Sequence, residues 1–120
     1  MIHHVLLACP RGSEELSRSF YAGLLGMTEK AKPPALAARG GCWSTGYDAE
    51  LHLGVEDDFR PARKAHPALL RPDLDELAAR LDAAGHAVTW GDEEIPGMRR
   101  FHTHDPHGNR LEFLAPVTAG

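Results

Sequence analysis

The chain has 120 residues, 42% hydrophobic and 25% charged, which suits one ordinary soluble domain with a core large enough to need neither disulfides nor a structural metal. A formal net charge of -4 with dispersed acidic residues gives no general attraction to nucleic acid, and no apolar run reaches the roughly 20 residues that span a bilayer. Residues 1–9 lack the charged start and apolar centre of a secretion signal, so a cytoplasmic location is expected, and Cys9 and Cys42 fit reduced thiols rather than a disulfide framework.

Residues 3–9 (HHVLLAC) are a short apolar run of β character ended by Pro10 and Gly12, which predicts the first strand. Ser13 followed by Glu14 and Glu15 marks a helix start, and Leu16, Phe20 and Leu24 recur at helical spacing up to Gly26. After a loop at 30–34, residues 35–39 and 42–45 read as two short strands joined around Gly40 and Gly41. A turn at Gly46, Tyr47 and Asp48 leads into residues 50–55 (ELHLGV), whose alternation predicts a half-buried strand. Residues 56–65 are charged, contain Pro61 and have no period, so they read as a surface connection.

Residues 66–71 (HPALLR) begin again with a strand. Asp73, with Glu76 three positions on, gives a capping-box-like start to a helix carrying Leu74, Leu77, Ala78 and Leu81, and Gly85 closes it. Strands at 88–90, 99–104 and 110–115 follow, separated by turns at 95–97 (IPG) and 105–109 (DPHGN). The order βαβββ therefore occurs twice, as modules 1–55 and 66–116 of one α+β domain spanning 1–120.

The repeat carries the chemistry. Moving 62 residues along the chain takes His4 to His66, Gly46 to Gly108 and Glu50 to Glu112. The helices match at an offset of 61, Leu16 with Leu77 and Phe20 with Leu81. Because alternate side chains of a strand face opposite ways, Val5, Leu7 and Cys9 packed on a helix leave His4 on the other face. By the same parity Leu51 and Leu53 oppose Glu50 and His52, and Leu111 and Phe113 oppose Glu112. Two strand pairs curved into one cup would bring two imidazoles and two carboxylates together, a set suited to Zn, Ni, Mn, Fe or Co as a divalent metal. The expected ligands are His4, Glu50, His66 and Glu112, with His52 an alternative to Glu50. Arg100, His102 and Trp43 are candidates to line the pocket, while His86 and His107 read as surface residues.

The segments HHVLL at 3–7, FYAGLLGM at 20–27, AHPALL at 65–70 and DPHGNRLEFL at 105–114 together resemble the vicinal oxygen chelate superfamily, which includes glyoxalase I, bleomycin-resistance proteins, fosfomycin-resistance thiol transferases and extradiol dioxygenases. The resemblance spans nearly the whole chain. It implies paired βαβββ modules forming a curved mixed-sheet cup, with metal held by His4, His66 and Glu112, and a set of two His and two Glu similar to that of bacterial glyoxalase I. It further implies a metal-dependent lyase or isomerase acting on a small oxygen-chelating substrate, with Glu50 or Glu112 as the catalytic proton carrier. The other members imply two further functions: a metal-free binding protein of the bleomycin-resistance kind, or an Fe-dependent extradiol-type dioxygenase built on His4, His66 and Glu112. Relatives of this size imply a homodimer with metal sites shared between chains.

Overall fold

The computed structural model describes residues 1–117. β1 (Val5–Cys9) is followed by α1 (Glu14–Arg18), which continues as a π-helical turn over Ser19–Leu24. β2 (Thr28–Lys30), the short α2 (Pro34–Ala37), β3 (Cys42–Gly46) and β4 (Ala49–Val55) complete the first half. β5 (Ala68–Leu70), α3 (Leu74–Ala83), β6 (Thr89–Trp90), β7 (Met98–His104) and β8 (Arg110–Pro116) make up the second. Each half is one four-stranded mixed sheet, ordered β1-β4-β3-β2 and β5-β8-β7-β6, with a single parallel pair at one edge. This is the α+β, glyoxalase-like fold that the sequence implies. Among the described residues no helix is long and apolar enough to cross a membrane.

Pleat parity sorts the side chains as expected. Leu51, Leu53, Phe101, Leu111 and Phe113 are buried in one core together with Phe20, Tyr21, Leu25, Leu74, Leu77 and Leu81 from the helices. β1 runs parallel to β4 with Leu6 opposite His52, and β5 runs parallel to β8 with Ala68 opposite Glu112. The turn at Asp105 closes as read from DPHGN: the Asp105 carboxylate accepts from the backbone amides of His107 and Asn109, and Gly108 takes the left-handed conformation the turn requires.

Four expectations are corrected. The second strand lies at Thr28–Lys30, not at 35–39, where Pro34 starts a helix of one turn because its fixed φ and missing amide suit a first helical position. Leu16 is 59% exposed while its supposed counterpart Leu77 is fully buried, so the repeat of the helices does not extend to that pair. Ser17 takes the inward position instead. The first helix also widens at its end, the Leu25 amide bonding to the Phe20 carbonyl, and the adjacent Phe20 and Tyr21 both bury. Finally, Asp73 makes no side-chain cap on α3, because Arg71 takes both its carboxylate oxygens at 2.9 Å.

Arg71 ties the halves together. It is 3% exposed, donates from Nη1 to the Leu25 carbonyl of the first half at 2.6 Å, and lies 3.6 Å from the ring of Tyr47, whose left-handed backbone in the β3–β4 turn aims it there. Arg71→Met should cost about 3 kcal/mol in urea unfolding, since it strands a carboxylate and a carbonyl that have no other partner of equal quality. The hydrogen bonds from Arg71 hold the Asp73 carboxyl below its ordinary range. The stability this supplies is complete above the ordinary aspartate value of about 3.9 and is lost as pH falls through the lower folded value. The difference between the native chain and Arg71→Met should therefore shrink in acid.

A candidate metal centre in two half-sites

The same parity that buries the leucines sends His4, Glu50 and His52 to the open face of the first sheet and His66, His102, Arg100 and Glu112 to that of the second. In the first half the β3–β4 register sets Trp43 opposite His52 and Thr45 opposite Glu50. The His52 ring is sandwiched between two others, its centroid 3.8 Å from Trp43 at 4° and 3.9 Å from His4 at 14°. Its Nε2 lies 2.7 Å from Glu50 Oε2, while Lys30 Nζ donates to Glu50 Oε1 at 3.1 Å. His52 thus fixes both expected ligands of this half, the imidazole by stacking and the carboxylate by a hydrogen bond. Burial pushes the His52 pKa down against the raising effect of Glu50. The bonds from His52 and then Lys30 hold Glu50 below the usual carboxylate range.

In the second half Glu112 is the hub. Its Oε1 lies 2.8 Å from His66 Nε2 and 3.1 Å from His102 Nε2, and its Oε2 lies 3.3 Å from Arg100 Nη1. Burial pushes this carboxyl up, but His66, Arg100 and His102 outweigh it and leave the pKa below the ordinary value. Burial, then the charge of Arg110, pushes the His102 pKa down against the raising effect of Glu112.

His66, His102 and Glu112 form the one set of three or more His, Cys, Asp or Glu among the described residues whose ligand atoms all lie within 4.8 Å of one another. The donor chemistry suits a cation. His66 Nδ1 is 2.8 Å from the Lys64 carbonyl, which can only accept, so Nδ1 carries a proton. That leaves Nε2, 2.8 Å from Glu112 Oε1, as the ring nitrogen that would share a cation with the carboxylate. A carbonyl holding the far nitrogen is also the usual way a metal-binding imidazole is oriented. Donor separations near 3 Å are what two ligands at about 2.1 Å from one ion subtend.

His4 and Glu50 do not join this set within one chain. The four expected ligands fall into two clusters, one on each sheet, and His102, expected only as a pocket residue, stands with His66 and Glu112. Its place could have been found by counting outward from the DPHGN turn, which sets His102 opposite Glu112. Lys30 escaped the sequence reading because the strand that carries it was placed too far along the chain. His86 and His107 lie apart from both clusters, bonded to the His104 carbonyl and to Ser17.

Comparisons with known proteins agree with this architecture. Residues 1–113 match the model of the Glyoxalase/Bleomycin resistance protein/Dioxygenase superfamily. A glyoxalase family protein from Bacillus anthracis is similar in structure, with a TM-score of 0.91 and 43% identity over 98% of this chain and 95% of that one. An antibiotic binding protein from Streptomyces sp. CB03234 has a TM-score of 0.68 and 26% identity over 98% of each chain. A lactoylglutathione lyase from Agrobacterium tumefaciens, at a TM-score of 0.71 and 18% identity over 95% of this chain and 92% of that one, shares the fold. No curated protein matches the chain.

The stack in the first half-site is testable. His52→Ala should lower the unfolding free energy by about 2 kcal/mol and red-shift tryptophan emission as Trp43 loses its cover. His52→Phe keeps the stack while releasing Glu50, and should recover most of that stability and the blue-shifted emission. Equal loss in both variants would show that the bond to Glu50, not the stacking, holds the half-site.

Proposed function

The chain belongs to the glyoxalase/bleomycin resistance protein/dioxygenase superfamily, and from that premise we propose that it is a metal-dependent lyase or isomerase of the glyoxalase kind. The observation that carries this reading is Glu112 held between His66 Nε2 and His102 Nε2, with the far nitrogen of His66 pinned by the Lys64 carbonyl. His66 and Glu112 of one half, with His4 and Glu50 of another, would hold a divalent ion. When bound, the ion supplies Lewis-acid chemistry, drawing off negative charge that builds on neighbouring substrate oxygens as a carbon-bound proton leaves.

The rest falls to the side chains. Glu112 is almost fully covered and has three basic partners, so it serves as the fixed anchor. Glu50 is less covered and less tied, and its Oε1, facing Lys30, is the atom suited to take the proton and return it. His52 keeps the other oxygen in place during that exchange. Both carboxyls lie below their ordinary range and so are ionised at neutral pH, as a base must be.

The two halves come from two chains. Within one chain the His4 and His66 clusters stay separate, while Leu6 and Leu70 on the edge strands β1 and β5, and Ile2 just before β1, lie exposed, as a face covered by a second copy would be. A homodimer that sets the first half of one protomer against the second half of its partner completes two identical sites.

Protein purified without chelator should contain a divalent metal by elemental analysis, with His66→Ala and Glu112→Gln losing it, and should turn over a methylglyoxal hemithioacetal when loaded with Ni²⁺ or Zn²⁺. A chain that neither carries nor takes up metal overturns the enzyme reading and leaves ligand capture of the antibiotic-binding kind. Consumption of oxygen with a catechol, in place of hemithioacetal turnover, would instead assign the dioxygenase chemistry.

Sharing between chains is checked by mixing. His4→Ala and His66→Ala proteins, each inactive, should regain about a quarter of native metal content when unfolded and refolded together, because half the dimers are mixed and each mixed dimer holds one intact site. Sites contained in single chains would regain nothing.

A further inference from the structure

The two halves hold their first-strand imidazoles by different means. In the second half the Lys64 carbonyl, two residues before His66, takes the Nδ1 proton. Ile2 stands at the matching place before His4 and makes no such bond among the described residues, while the first half has His3 where the second has Ala65. His3 Nδ1 lies 3.0 Å from His4 Nδ1, the two rings meeting edge to face at 86° with their centroids 5.2 Å apart. Among the described residues this is the one hydrogen bond of the His4 side chain.

The stack on His52 leaves a choice that this contact decides. At 3.9 Å and 14° from the His52 ring, the plane of the His4 ring is set. A half-turn of the ring in that plane carries both nitrogens to the opposite edge, and stacking favours neither orientation, nor either position of the proton. The contact with His3 is directional. It engages His4 Nδ1, so Nε2 is the nitrogen left for an ion, and one of the two Nδ1 atoms must carry the proton between them. With that proton on His4, Nε2 keeps its lone pair; with it on His3, a neutral His4 is protonated at Nε2 and cannot be a ligand. His3 is exposed and makes no other hydrogen bond among the described residues, so it can hold its own proton on Nε2, toward water, and offer Nδ1 as the acceptor.

We propose that His3 is the positioning residue of His4, its Nδ1 accepting from His4 Nδ1–H so that Nε2 is presented as a lone pair. This rests on His4 being a ligand of the centre proposed above. It gives the first half, through a neighbouring side chain, the orientation that the Lys64 carbonyl gives the second.

The test reads the tautomer directly, by nitrogen NMR of isotope-labelled histidine in chelator-treated protein at one alkaline pH, with the His4 resonances assigned by their loss in His4→Ala. Native protein should hold His4 mainly in the Nδ1–H form. His3→Ala should move it toward the Nε2–H form that prevails in a free imidazole side chain, and His3→Asn, whose Oδ1 can accept in place of Nδ1, should restore the native form. Tryptophan emission should be the same in all three, since the stack of Trp43, His52 and His4 does not pass through His3. Calorimetric Ni²⁺ affinity should fall about ten-fold in His3→Ala and recover in His3→Asn. An unchanged His4 tautomer in His3→Ala overturns the proposal, as does equal Ni²⁺ affinity in all three proteins. A red-shifted emission in His3→Ala also overturns it, because His3 would then be a support of the stack. If native protein takes up no Ni²⁺, the metal-dependent reading fails, and the tautomer comparison still decides whether His3 orients His4.

Discussion

The alternation of side chains along β4 and β8 constrains everything else in this molecule. Leu51 and Leu53 in the first sheet, with Leu111 and Phe113 in the second, are committed to the core by the area they bury, and a shift of one residue in either strand would expose them. The residues between them have no freedom to choose a face. Glu50, His52 and Glu112 are therefore delivered to the open side by the hydrophobic effect acting on their neighbours, not by any attraction among themselves. Pairing then brings Trp43 and His102 beside them through the β3–β4 and β7–β8 registers.

Delivering polar groups to a partly covered face creates an electrostatic problem that the two halves solve differently. In the first half an aromatic stack covers His52 and hydrogen bonds from His52 and Lys30 satisfy Glu50. In the second, one carboxylate faces two imidazoles and a guanidinium. The ion pairs of neither half contribute much to stability, since a partly buried ion pair loses in desolvation most of what it gains in attraction, and the first half rests on its aromatic stack instead. The stability sits elsewhere, in the shared core and in Arg71 spanning the halves, which leaves the open face available for function.

How much of this was legible follows from which interactions are local. The repeat of His4, Gly46 and Glu50 at His66, Gly108 and Glu112 could be read directly, because a strand ending, a turn glycine and a strand start each depend on a few adjacent residues. The turn at Asp105 was legible for the same reason, its carboxylate bonding only to amides within the turn. What failed depended on distant partners. Asp73 looked like a helix cap until Arg71 claimed it, and three residues at Thr28–Lys30 become a strand only because β3 lies beside them. Leu16 looked like a core residue because its spacing ignores what the rest of the helix packs against. The sandwich of His52 between Trp43 and His4 joins three separate strands or their ends, and no spacing along the chain announces it.

The difference between the halves bears on how a complete site can be built. The repeat preserves His and Glu at equivalent places but sets Trp43 against Arg100, Thr45 against His102 and His52 against Leu114. Two first halves facing each other would put two aromatic stacks together with no guanidinium, and two second halves would crowd two pairs of arginines around two carboxylates. Only a first half against a second combines a rigid, lightly charged wall with a cationic one. The divergence of the two modules thus fits a working site built from one first half and one second half, the combination that the proposed two-fold dimer would supply twice over.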